Sequence, residues 1–185
     1  ITKYINKITK NNYLKNSIVK FIKVSDEIEN GYPHTHEDYI IIPQRFMNEI
    51  LENNGSRVLI HEQIHIMQRY HKKKMRTDLV NNLKFNMVKN IEGIDKYKNR
   101  IRANPDEDNN YWIYDNKILP LCLYNSEPTN IGDADYYGLY IKNNKVVSDL
   151  IKLYNIKEYQ YNNLGKNNYN GFEVQAEIWE NKIKN

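Results

Sequence analysis

Two spacings of apolar residues alternate along this chain. Short runs rich in apolar and β-branched residues occur at 16–25, "NSIVKFIKVS", and at 38–43, "DYIIIP". Runs of this kind between turn-forming residues predict strands. Gly31 and Pro33 mark the turn between them, and Pro43 stops the second. In "QRFMNEILENN" the spacing becomes helical, with Phe46, Ile50 and Leu51 recurring on one side, and Gly55 ends that helix. Ser56 then supplies an N-cap for a second helix over 57–71, "RVLIHEQIHIMQRYH". Ile60, Ile64 and Met67 form one apolar flank of it, and Val58, Leu59 and Ile66 form another. A helix apolar on both flanks is a buried helix.

After a bend near 71–74, "MRTDLVNNLKFNMVKNI" predicts a third helix. Gly93, Pro105 and several Asn and Asp residues make 93–110 a loop, with "NPD" at 104–106 read as a turn. "YWIYDNKILPLCLYN" predicts a hairpin turning at "DNK". Pro120 has no N–H for a ladder, which assigns its strand to a sheet edge. "DADYYGLYIKNNKVVSDLIKLY" fits strand, turn and helix. The closing helix, 173–184, places Phe172, Ala176, Trp179 and Ile183 on one stripe. No repeat or linker interrupts the pattern, so 1–185 is expected to form a single α+β domain. Its small, mostly antiparallel sheet is expected to pack on the helix of 57–71.

That buried helix carries His61, Glu62 and His65. Residues four apart share one helix face, so both imidazoles can aim at one ion, with Glu62 beside them as a base for water. With five His in the chain, a bare His-Glu-x-x-His arises by chance at roughly 1 %. Burying two imidazoles and a carboxylate without partners is costly, which favours a metal site. Zinc held by two His needs a third protein ligand. His34, His36 and His71 are candidates, as are the carboxylates of "GFEVQAEIWE". There Glu173 and Glu177 lie four apart and border the apolar stripe. Glu173 is suited to ligate, and Glu177 to accept the second ring N–H of a ligand His. His36, at the mouth of the strand before this helix, is a candidate for substrate binding. For the oxyanion donor Tyr111, Tyr114, Tyr124 and Tyr169 are all eligible.

"HEQIH" followed by Glu173 and, four residues on, Glu177 resembles the zincin metallopeptidases of the Glu-ligand type, the gluzincins. "HEQIHIMQRY", "RANPDEDNNYW", "FEVQAE" and "YPHTHEDYIIIP" are also similar to uncharacterised peptidase-like proteins of large nucleocytoplasmic DNA viruses. The resemblance implies a zincin-like fold whose C-terminal helix brings the third ligand. It also implies one zinc ion per chain, Glu62 as general base and a polypeptide substrate. By the same resemblance "DYIIIP" is the edge strand along which substrate pairs. Glu173 stands much further along the chain from His65 than in thermolysin-like enzymes.

Composition narrows the alternatives. The chain has 185 residues, 40 % hydrophobic and 27 % charged, ordinary for a globular protein. Its 16 tyrosines, with abundant Asn, Lys and Ile, match the coding bias of an AT-rich genome. A net charge of +4 is mildly basic, and "HKKKMR" reads as a solvated helix face, so no specific nucleic-acid partner is expected. Cys122 is the only cysteine. No internal disulfide is possible, a reducing compartment is consistent, and the apolar "ILPLCLY" buries the thiol. No run reaches the ~18 apolar residues of a membrane span, so no membrane partner is expected. "ITKYINKITK" is no signal peptide, which points to an intracellular or virion location. The start at Ile1 is consistent with a trimmed N-terminus. The competing reading is a non-catalytic, metal-stabilised structural or virion protein retaining a zincin fold. Glu62 counts against it, because a closed structural zinc site has no use for that carboxylate.

Overall fold

The computed structural model describes residues 19–51, 55–104, 110–125, 131–162, 164 and 168–184. Residues 16–18 of the first predicted strand, and Pro105 and Asp106 of "NPD", lie outside these. Contacts gather the chain into two compact units, one of 1–73 with 176–185 and one of 74–175.

In the first unit β1 (Lys20–Val24), β2 (His34–His36) and β3 (Tyr39–Pro43) form a three-stranded sheet in the order β1-β3-β2. β1 runs parallel to β3 from Lys20↔Tyr39 to Val24↔Pro43, and β2 pairs antiparallel with it, His34 opposite Ile41. The "DYIIIP" strand therefore lies at the centre of its sheet and is no substrate-pairing edge. Its backbone groups are engaged on both sides, and among the described residues the outer strands are β1 and β2. Helices α1 (Gln44–Leu51) and α2 (Gly55–Tyr70) follow directly. α2 packs on β2, β3 and α1. As the two apolar flanks predicted, α2 is buried nearly all round from Leu59 to Gln68. Only His61 in that stretch is partly open.

The second unit holds most of α3 (Lys72–Asn81) and a six-stranded antiparallel sheet. Its strands are β4 (Phe85–Val88), β5 (Tyr111–Tyr114), β6 (Ile118–Tyr124), β7 (Ala134–Lys142), β8 (Lys145–Val146) and β9 (Ile151–Lys152). The order is β4-β5-β6-β7-β8, with β9 also on β7. The predicted third helix is thus too long. It stops at Asn81, Lys84 takes φ +60°, and Phe85–Val88 pairs with Val88 opposite Tyr111. A partner strand outweighs weak helical propensity here.

The "DNK" hairpin forms as expected, with Asp115 and Asn116 at φ +49° and +56°, the positive pair a tight hairpin turn requires. Pro120, however, sits in a central strand. β6 pairs along its length with β7 but with β5 only at Tyr114↔Ile118, so a ladder flanks Pro120 on one side only. A second hairpin turns at Asn143 and Asn144. The helix expected after it is absent; a short 3-10 turn, Leu153–Asn155, stands there. Ile91, Ile94, Ile113, Leu119, Leu123 and Leu139 are among the residues of this unit's core.

The last helix, α4 (Gly171–Lys184), is continuous; its first five residues belong to the second unit and the rest to the first. The architecture is α+β, a curled antiparallel sheet and a smaller mixed sheet with helices. Cys122 is buried, as its apolar setting predicted. Among the described residues no helix is long and apolar enough to cross a membrane.

Candidate metal centre

The apolar flanks that bury α2 leave His61 and His65 one turn apart on the same face. Their Nε2 atoms are 3.1 Å apart and their ring planes meet at 79°. His65 Nδ1 lies 2.7 Å from Gln68 Oε1. That carbonyl oxygen can only accept, so Nδ1 carries the proton. His61 Nδ1 lies 3.4 Å from Glu180 Oε2, a carboxylate oxygen placed to accept from it. With both rings in the neutral Nδ1–H form, each Nε2 offers a lone pair. In that form a cation between the two nitrogens offsets their repulsion, whereas a doubly protonated ring would instead donate Nε2–H across the 3.1 Å gap. Nitrogens bound to one zinc at ~2.0–2.1 Å in tetrahedral geometry are about 3.3 Å apart, close to the separation seen.

Glu173 stands in the first turn of α4. One ligand atom from each of His61, His65 and Glu173 lies within 4.8 Å of the others. Residues of the second unit hold that turn in place. Phe172 packs edge-on against Trp112 with ring centroids 5.1 Å apart. Gly171 allows close packing, since a Cβ there would lie 3.1 Å from Phe85 Cγ and 3.2 Å from Leu79 Cδ2. Gln175 Nε2 donates to Met75 O at 3.0 Å and to Asp78 Oδ2 at 2.7 Å. Asn170 Oδ1 accepts from Glu173 N at 2.9 Å, the N-cap bond that starts the helix at Gly171. Asn104 Nδ2 donates to Glu173 Oε1 at 2.7 Å.

The group is well enclosed: His65 is 1 % and Glu173 5 % exposed. Two imidazoles and a carboxylate at this spacing could hold a divalent metal ion, and the donor set suits zinc among others. Glu62 is buried on α2 next to His61. Among the described residues the other three histidines stand outside the group. His34 is buried with Nδ1 3.1 Å from Tyr32 O, while His36 is exposed at the end of β2, opposite Tyr39. His71 is exposed just beyond α2. Glu177 lies 3.8 Å from Arg57, and Arg57 Nε also pairs with Glu180.

Sequence reasoning missed Gln68, Glu180, Arg57 and Asn104. Three of them carried a signal in helical spacing. Gln68 is three residues after His65, Arg57 four before His61, and Glu180 seven after Glu173 on the same face. Nothing in the sequence announced Asn104, which reaches Glu173 from a distant loop. No protein-family model, curated protein or solved structure matches this chain.

Proposed function

We propose that the chain is a zinc-dependent metallopeptidase of the gluzincin type, with zinc held by His61, His65 and Glu173. The observation that carries this reading is the pair of Nε2 atoms 3.1 Å apart, with a buried carboxylate completing the group and Glu62 adjacent. When bound, the ion supplies Lewis acidity, polarising the scissile carbonyl and lowering the pKa of water toward ~7.

Glu62 takes the proton from the attacking water and returns it to the leaving amine. Glu62 is buried beside His61 on the same helix, where it is held close to the ligand face. Gln68 and Glu180 keep the ligand imidazoles in the Nδ1–H tautomer, so both present Nε2. An extended polypeptide would pair along β2, the outer strand that contacts α2 and ends at His36.

The test is hydrolysis of a peptide library by zinc-loaded wild type and Glu62→Gln. Glu62→Gln should keep its metal and lose ~10²–10⁴ in rate, the range for removing a general base. Zinc-loaded wild type that cleaves no peptide would refute the peptidase and leave a structural metal site.

A further inference from the structure

The amide of Asn104 makes two contacts at the foot of α4. Nδ2 donates to Glu173 Oε1 at 2.7 Å and stands 2.9 Å from the Tyr169 hydroxyl oxygen. Both partners are 5 % exposed. An asparagine amide nitrogen carries two hydrogens, enough for one to serve each contact. Glu173 is the third residue of its helix, where a glutamate commonly reaches back to the N-cap backbone N–H. Asn104 offers that carboxylate a donor in a different direction.

We infer that Asn104 is a positioning residue for the metal centre, one that makes Glu173 present a single oxygen to the ion. This rests on the reading of His61, His65 and Glu173 as ligands. A carboxylate is free to turn about its terminal bond, a broad two-fold torsion. Unrestrained, it exchanges between one-oxygen and two-oxygen binding. A hydrogen bond on Oε1, from a donor itself tied to Tyr169, stops that rotation. The consequence is a low coordination number, with one position left for water, as catalysis requires and a closed structural site does not. Tyr169 is also singled out among the four candidate tyrosines, since its hydroxyl alone is tied by a described hydrogen bond to a donor of a ligand.

The experiment compares wild type, Asn104→Ala, Asn104→Asp and Tyr169→Phe in the full chain. Zinc affinity is read by chelator competition, cobalt(II) absorption reports coordination number, and melting of the metal-free protein controls for folding. Asn104→Ala should weaken zinc ~10–100-fold, the range for losing a ligand's hydrogen-bond partner. Its cobalt spectrum should lose intensity as the coordination number rises. Asn104→Asp keeps the side-chain size but faces Glu173 with a like charge. It should weaken binding at least as much, and it carries the test if Asn104→Ala does not fold. Tyr169→Phe removes the tie on Asn104 while keeping its bond to Glu173, and should move affinity and spectrum part of the way toward Asn104→Ala. Wild-type affinity and spectrum in both Asn104 variants would overturn the inference and leave Asn104 as a loop tether. If wild type binds neither zinc nor cobalt, the ligand assignment fails first and takes this inference with it.

Discussion

His61 Nε2 and His65 Nε2 face each other at 3.1 Å, each ring anchored through Nδ1 by an acceptor, Glu180 for one and Gln68 for the other. The anchors matter as much as the separation. Were either Nδ1 without its acceptor, that imidazole could move its proton to Nε2, and one N–H···N bond would satisfy the pair without an ion. With both rings neutral and both protons held on the outer nitrogens, a cation between the Nε2 atoms would offset their repulsion, as would a further proton on one ring through an N–H···N bond.

Metal content follows directly. Gently purified wild type should carry about one zinc per chain, and His65→Ala should carry none, because two ligands hold zinc poorly. Elemental analysis beside protein quantitation decides it. Metal-free wild type would overturn the site.

The three carboxylates of α4 should separate by role. Glu173→Ala removes a ligand, so it should abolish tight binding and lower the Tm of the zinc-loaded protein, metal affinity being coupled to folding. Glu180→Ala should weaken zinc ~10–100-fold by releasing the His61 tautomer. Spacing nominates Glu177 for that part, but Glu180 is the carboxylate beside His61 Nδ1, so Glu177→Ala should have the smaller effect. Chelator competition ranks them, and Glu177→Ala exceeding Glu180→Ala would reverse the assignment.

Packing under the first turn of α4 should be felt at the metal. Phe172→Ala removes a ring 5 % exposed and set against Trp112, costing ~3–5 kcal/mol for a buried aromatic. Denaturant unfolding measures that loss. Zinc affinity should fall with it, and Phe172→Leu, which fills more of the space, should recover part of both.

Alkaline pH should destabilise the protein through Tyr159. Burial, with Tyr161 and Tyr114 nearby, holds its phenol well above the ordinary range, and its hydroxyl donates to Asn168 O. Folded and unfolded chains are both neutral at this group below the unfolded value of about 10, so its contribution is constant there. Above that pH the unfolded chain loses the proton and the folded one keeps it, so stability falls as pH rises. Tyr159→Phe should lose ~1 kcal/mol of hydrogen bonding at neutral pH and show a shallower alkaline decline. Melts at increasing pH test this; an equally steep decline in the variant would exclude Tyr159 as the source.

Much of the site was legible in residue order because helices convert sequence spacing into position. "HEQIH" within a doubly apolar run dictated two imidazoles on one buried face, and Glu173 announced a carboxylate at the start of a helix bordering an apolar stripe. The "DNK" turn was equally local, since Asp115 and Asn116 tolerate the positive φ that a tight hairpin requires.

Long-range pairing was different. Phe85–Val88 became a strand because Tyr111–Tyr114 lay beside it, "DYIIIP" became central because β1 closed its other side, and Pro120 was accommodated because β5 diverges after Ile118. No local pattern encodes which strand will arrive as a neighbour. The same holds at the candidate metal centre, where the sequence determined which side chains could bind an ion. Only the tertiary structure decided that Glu180 stands behind His61 and Asn104 behind Glu173, because hydrogen bonds between distant segments depend on how the chain packs and have no period to read.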